Sequence, residues 1–309
     1  MSAATMLISG EETVEIRAGG TDLSERRRSG VSRSAPVDII PTPEMTAVDW
    51  GPNGAARIGA LVTIDKIASD PAIAAAYPGL AAAAGGLATP QIRRLATVGG
   101  NLAQRSRCWY YRNPHIACLK KGGSACPART GNHLYGVVFD LGPCVAPHPS
   151  TMAAALLAYD AKIVTARRAD LTIAQLLGDG SNAATDNALE PGETIKAVEL
   201  PLPMAGERAV YKRAISRAYA EWPLVELVAR AVIHNGAFQF LRLSAGGVAP
   251  VPVRLAGAEA AADGEAANSA TIARAAARSI EGAKPLPMTA YKLDLLKGLV
   301  QDLMEELSG

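Results

Sequence analysis

A chain of 309 residues, 49% apolar and 19% charged, has the composition of an ordinary globular protein and enough length for two or three separately cored domains. With 31 basic and 29 acidic residues the whole chain is nearly balanced, so any strong attraction to a polyanion must be local. The longest uncharged run, 71–92, is interrupted by Pro78, Gly79, Gly85, Gly86 and Pro90, which makes it a poor membrane span.

The opening MSAATMLISGEE has neither a basic start nor a cleavable hydrophobic stretch, so no signal peptide is expected. Residues 12–17 read as a strand with Val14 and Ile16 on one face, and it runs into Ala18-Gly19-Gly20-Thr21-Asp22-Leu23 and an arginine-rich helix start. A strand followed by two glycines and a small hydroxyl residue makes a tight turn with exposed backbone N–H groups. Such a turn can wrap a pyrophosphate, although most glycine pairs only turn the chain. Strands are expected at 36–40 and 57–62, and Thr63 is placed to cap a helix through Ser69 with Asp65 in its first turn. Alanine-rich helical segments follow from Ala72 to about Leu95. Thr97-Val98-Gly99-Gly100-Asn101 then forms a second glycine turn of the same chemical kind. Two such turns suit a dinucleotide, which has two phosphates and two ends to hold.

Every cysteine of the chain comes next: Cys108, Cys118, Cys126 and Cys144. Cysteines used as small buried hydrophobes would be scattered. Clustering on a loop rich in Gly, Pro and Arg suits a four-thiolate metal or iron–sulfur site. No Asp or Glu occurs from Pro71 to Phe139, while eight Lys and Arg residues do. This local excess is either a solvated basic face or compensation for anions, thiolates and phosphates included. The intervening spacings of nine, seven and seventeen residues depart from the tight pairs of zinc sites, and ordinary free thiols are the remaining reading. The loop lacks the aromatic interleaving of a nucleic-acid stacking platform. His115, His133 and His148 show no ligand spacing. Tyr110 and Tyr111 are placed to shield the cysteines from water.

After the loop, Ser150 caps a helix over 150–161 with Met152, Leu156 and Tyr159 on one stripe. Strands are expected at 162–166 and 195–200, separated by a Gly/Asn-rich connection. Pro201, Pro203 and Gly206 mark the best domain boundary. Beyond it, 209–216, 225–234 and 237–244 read as three antiparallel strands, followed by helices from Ala270 to about Leu307. The last helix places Tyr291, Leu295, Leu299, Leu303 and Leu307 near one face.

AGGTDL at 18–23 and ATVGGNLAQRSRC at 96–108 resemble the two flavin-binding motifs of the FAD subunit of molybdenum hydroxylases, the xanthine dehydrogenase family. The insertion from Cys108 to Ser150 resembles that of the bacterial aldehyde oxidoreductases, whose FAD subunit carries a [4Fe-4S] cluster on this loop. SAGGVAPVPVR at 244–254 resembles the start of the family's C-terminal domain. The resemblance covers nearly the whole chain. It implies an α+β fold: a two-subdomain FAD-binding fold of the vanillyl-alcohol-oxidase type over 1–54 and 55–203, with a cluster loop at 104–149. An α+β domain with a three-stranded antiparallel sheet then follows over 204–309.

On the same resemblance, the backbone of 18–23 wraps the FAD pyrophosphate, with Gly19, Gly20 and Thr21 at its centre. Thr97, Gly99, Gly100 and Asn101 hold the second side of the cofactor. Ser150 adjoins it, Ile195 packs against it, Lys212 lies near the flavin, and the four cysteines ligate the cluster. The implied partners are a large molybdenum-cofactor subunit, a small [2Fe-2S] subunit and an external electron acceptor. The implied compartment is the cytoplasm, or the periplasm by co-export with a signal-bearing partner. The sequence departs from the pattern at Thr151, where the family's Ser-Asp pair has a carboxylate, and in the short stretch ahead of Ala18. A stand-alone FAD-dependent oxidoreductase and a flavin-inactive scaffold subunit are the alternative readings.

Overall fold

The computed structural model describes residues 14–216 and 221–309. The predicted first strand is found as β1 (Glu15–Arg17), and residues 12 and 13 lie outside the described part. It leads through the glycine turn into α1 (Thr21–Arg28) and returns as β2 (Pro36–Asp38), which pairs parallel to β1 with Ile16 opposite Val37. This small β–α–β unit stands apart from the two larger sheets.

The next unit begins with α2 (Pro43–Thr46), β3 (Val48–Trp50) and β4 (Ala56–Gly59). The expected division at residue 54 falls between β3 and β4, which pair antiparallel, so the second unit's sheet starts earlier than the sequence suggested. Four short helices follow: α3 (Ile64–Ser69), α4 (Pro71–Ala76), α5 (Pro78–Gly86) and α6 (Pro90–Leu95). Their shortness has a local cause. A proline at the first helical position starts α4, α5 and α6, and the Thr63, Asp70 and Thr89 side chains cap the N–H groups of α3, α4 and α6. Helix α7 (Val98–Leu102) carries the second glycine pair, so this motif is a helix start rather than a free turn. The cysteine loop contains α8 (Trp109–Arg112) and two single 3-10 turns.

Helix α9 (Thr151–Ala158) then runs buried through the molecule, capped as expected by Ser150, whose Oγ accepts from Ala153 N. Strands β5 (Lys162–Thr165) and β6 (Leu171–Thr172), helix α10 (Ile173–Leu177) and β7 (Ile195–Glu199) complete an antiparallel sheet in the order β3-β4-β7-β5-β6.

The C-terminal unit contains β8 (Glu207–Ala214), β9 (Val225–His234), β10 (Ala237–Gly246) and β11 (Val253–Arg254). Its sheet has four strands, β11-β10-β9-β8, where three were expected. The added strand is two residues long, and pairs only Arg254 with Ser244 and Val253 with Ala245. Helices α11 (Ala256–Ala260), α12 (Ser269–Arg278) and α13 (Tyr291–Ser308) cover this sheet, with Leu299, Leu303 and Leu307 in the core as the sequence pattern requires. Arg230 of β9 ties the two large units together. It is 3% exposed, pairs with Glu207 at 2.7 Å, donates to Ala158 O at 2.6 Å and lies 3.9 Å over the Tyr159 ring.

Candidate functional site: a glycine-walled cleft beside a thiol cluster

The two glycine motifs meet although about eighty residues separate them. Residues 18–23 and Thr97, Gly99 and Gly100 line one cleft of about 300 Å³, which Ile195 also lines. Each glycine has a steric reason. A Cβ on Gly19 would stand 1.7 Å from the Leu95 carbonyl oxygen, and Gly20 has φ near +70°. Gly99 lies against the residue after β4: its N–H donates to Ala60 O at 2.8 Å, and a Cβ would stand 2.8 Å from Ala60 Cβ. Thr97 Oγ1 accepts from Gly100 N at 3.1 Å. These contacts bring the start of α7 close to the first turn and leave backbone surface facing the cleft.

Asp22 lines the cleft, but its carboxylate is already bound. Arg26 Nε donates to it at 3.0 Å, Arg112 Nη2 at 2.7 Å and Arg105 N at 3.1 Å, and Arg107 Nη2 lies 3.0 Å away. Burial alone would raise this carboxyl; Arg107, Arg112 and Arg26 together outweigh it and hold the pKa below the usual carboxylate value. Arg107 and Arg112 belong to the segment that starts the cysteine loop, and both also reach Glu25. The first flavin motif and the thiol loop are therefore joined through one carboxylate.

Three expected cleft residues are not brought there. Asn101 is buried and accepts from Ser150 Oγ at 2.7 Å and Met152 N at 3.3 Å, so Asn101 and Ser150 join α7 to α9. Lys212 pairs with Glu306 of α13 at 2.8 Å, because the β8 register turns it toward the C-terminal helix. Thr151, at the family's carboxylate position, is 2% exposed, and its hydroxyl bonds within a buried group containing Tyr211 and Glu226. Burial raises the Glu226 carboxyl, while its bonds with Thr151 and Tyr211 lower it; Tyr211 Oη donates to Glu226 at 2.8 Å.

The sequence reading missed the opposite wall of the cleft, formed by the polar segment from Thr185 to Thr194. Glu193 anchors that segment. Arg168 donates to both its carboxylate oxygens at 2.9 and 2.6 Å, and the bond from Arg168 leads the causes that pull its pKa down to about 2. An acidic residue in the turn PGET carries no sequence signal of this role.

All four thiols are free, and Cys108 and Cys144 lie near enough to Cys126 to feel its charge. The Cys126 and Cys144 side chains interact, which lowers the Cys126 thiol and, with burial, raises that of Cys144. Burial raises the Cys108 thiol, which also feels Cys126 and Cys118. Lys120, paired with the buried Asp186 at 2.8 Å, faces Cys144 and lowers its pKa. Among the described residues no three or more His, Cys, Asp or Glu side chains are placed to hold a metal ion. Four thiols with Lys120 beside Cys144 have the donor type and charge of an iron–sulfur site, while their placement forms no metal-holding group. His148 is buried with Nδ1 accepting from Ser150 N at 3.3 Å, and burial pulls its pKa down to about 4. It is a neutral packing residue.

A β–α–β turn, a second glycine-walled helix start and a shared cleft between them define a dinucleotide-binding unit, here followed by a sheet-and-helix domain. Residues 1–203 match the FAD binding domain in molybdopterin dehydrogenase, and residues 209–307 match the CO dehydrogenase flavoprotein C-terminal domain. The aldehyde oxidoreductase FAD-binding subunit PaoB of Escherichia coli (strain K12) is 33% identical over 250 residues, covering 79% of this chain and 77% of that protein. The putative xanthine dehydrogenase FAD-binding subunit XdhB of the same organism is 25% identical over 275 residues, 88% of this chain and 80% of that protein. In fold, the chain is similar to quinoline 2-oxidoreductase from Pseudomonas putida 86 (TM-score 0.74, 19% identity, 96% of this chain and 90% of that one). It is equally similar to carbon monoxide dehydrogenase from Hydrogenophaga pseudoflava (TM-score 0.74, 20% identity, 96% and 89%). The chain belongs to the FAD-binding subunits of the molybdenum hydroxylase, or xanthine dehydrogenase, family and is the flavoprotein component of an oxidoreductase. None of the helices in its described residues is long and apolar enough to cross a membrane.

Proposed function

We propose that this chain is the FAD- and [4Fe-4S]-carrying electron-transfer subunit of a molybdenum-containing aldehyde oxidoreductase. It accepts electrons from the [2Fe-2S] centres of a small partner subunit and passes them to an external acceptor. The large partner subunit carries the molybdenum cofactor and oxidises the substrate. The observation that carries this reading is the position of the four-thiol loop, tied through Arg107 and Arg112 to Asp22 of the flavin cleft. The 33% identity with an aldehyde oxidoreductase FAD-binding subunit supports the substrate class.

When bound, the flavin supplies interconversion between two-electron and one-electron transfer, and the cluster supplies a one-electron site. The chain's own part is to hold and shield them. The backbone of Gly19, Gly20 and Thr21 wraps the pyrophosphate, and Thr97, Gly99 and Gly100 close its second side. Ile195 gives the cofactor an apolar contact, and the cleft-lining cations Arg17, Arg26 and Arg105 offset phosphate charge. Asp22 acts through the arginines and keeps the turn in place. Cys108, Cys118, Cys126 and Cys144 are the cluster ligands, with Lys120 offsetting thiolate charge. Anaerobic co-purification from the native host tests the assignment. Two partner chains, one with molybdenum and one with [2Fe-2S] centres, are expected; purification as a lone chain that oxidises aldehydes by itself would overturn it.

A further inference from the structure

A second cavity, of about 530 Å³, is lined by Arg107 and Cys108 and shares no lining residue with the glycine cleft. Its lining is unusual for this chain. The sequence has only 3 Trp, 8 Tyr and 3 Phe, yet Trp109, Trp222, Tyr110 and Tyr135 all border this one space. Three of these rings are exposed: Trp109 at 57%, Trp222 at 43% and Tyr135 at 42%. Trp109 and Tyr135 meet edge to face with centroids 5.2 Å apart, and the Arg107 guanidinium lies 4.3 Å from the Trp222 ring. Rings kept exposed at substantial solvation cost provide flat faces for stacking.

The cavity also contains a buried cation. Lys292 of α13 is 1% exposed, and its Nζ donates to Tyr135 O at 3.2 Å and Gly247 O at 2.9 Å. An ammonium has three N–H bonds, and these carbonyls take two. Among the described residues, the charged and titratable groups around it have partners of their own. Arg107 is bound to Asp22 and Glu25, and His133 Nδ1 faces the Ala128 and Gly131 carbonyls while Nε2 accepts from Met288 N. Tyr110 Oη accepts from Asn132 N, Tyr291 Oη donates to Leu134 O, and Glu221, the cavity's carboxylate, accepts from Ser216 Oγ.

We propose that this cavity binds a planar aromatic carboxylate, its ring between Trp109 and Trp222 and its anionic oxygen on Lys292. The inference concerns binding and does not depend on the cluster assignment. Burial holds the Lys292 ammonium down to about 7, so the site is cationic in mildly acid solution and loses its charge in alkaline solution.

Calorimetric titration of the full, flavin-loaded chain with 2-naphthoate, 2-naphthamide and cyclohexanecarboxylate tests this. The anionic planar ligand is expected to bind at least about tenfold more tightly than either control. Its advantage over the amide should shrink between about pH 6 and about pH 9, with the flavin retained throughout. Trp109→Ala, at an exposed site, should weaken 2-naphthoate binding, and Lys292→Met should abolish the preference for the anion. Equal affinity for all three ligands, binding unaffected by Trp109→Ala, or release of flavin in step with ligand binding would overturn the proposal.

Discussion

Replacing Asp22 with Asn removes one negative charge from a side chain that is 13% exposed and faces Arg26, Arg107 and Arg112 within 3.0 Å. The carboxylate is held below its usual pKa against the cost of burial, so its interactions with the arginines outweigh desolvation in the native state. Breaking a buried ion pair by removing one partner costs roughly 3–5 kcal/mol, because the surviving charges remain buried. Asn keeps one acceptor oxygen, which puts the expected loss near the lower end, about 3 kcal/mol. For a unit the size of the matched FAD-binding segment, residues 1–203, this corresponds to a fall in Tm of roughly 7 °C. Differential scanning calorimetry with a parallel flavin assay reads both consequences. The flavin content should fall with Tm, since Asp22 holds the turn that lines the cleft. Arg278→Gln removes the exposed pair with Glu281, outside the cleft lining, and should leave Tm essentially unchanged, since both side chains are more than a third exposed. An Asp22→Asn protein with unaltered Tm and full flavin would refute the view that the clamp supports the cleft.

Gly99→Ala should cost about 1–3 kcal/mol and lower flavin occupancy, because the added methyl must push α7 away from Ala60; equilibrium urea unfolding and flavin release would show it. Thr151→Asp, which restores the family's residue, places a carboxylate beside the buried Glu226. It should destabilise the chain by several kcal/mol, roughly 3–5, and Glu226→Gln in the same chain should recover much of the loss. Glu193 has a folded pKa near 2, below its ordinary value of 4.5, so its stabilising contribution is present above pH 4.5 and is lost as the pH falls toward 2. Glu193→Gln should therefore flatten that part of the acid-unfolding curve. Lys292 has the same sign in a higher window: its folded pKa lies below the unfolded 10.5, so the unfolded chain binds more protons between about pH 7 and 10.5 and stability again rises with pH. Across that window, thermal scans should show wild type gaining stability relative to Lys292→Met.

The features legible in the sequence were those the backbone itself demands. Gly19, Gly20 and Gly99 sit where a Cβ would collide or φ is positive, and the caps Thr63 and Ser150 stand directly before their helices. The long strands β8, β9 and β10 were visible because eight to ten residues display an apolar pattern. Strands β3, β6 and β11 are two or three residues long and owe their state to the neighbour they pair with, so local pattern could not reveal them. Lys212 was expected near the flavin by resemblance; its ion pair with Glu306 of α13 is a contact between residues far apart in the chain, of which local pattern gives no sign. The Asp22 clamp was invisible for a different reason: Arg107 and Arg112 lie more than eighty residues away, and a basic run gives no sign of which acid it will meet.

The most direct measurement is the cofactor content of the full chain purified without oxygen. Flavin, iron, acid-labile sulfide and zinc would be determined on the same sample, for wild type and for Cys126→Ser. The account predicts one FAD with about four irons and four sulfides per chain, and loss of iron and sulfide on removing Cys126. Flavin-free protein, or one zinc with no sulfide, would contradict it.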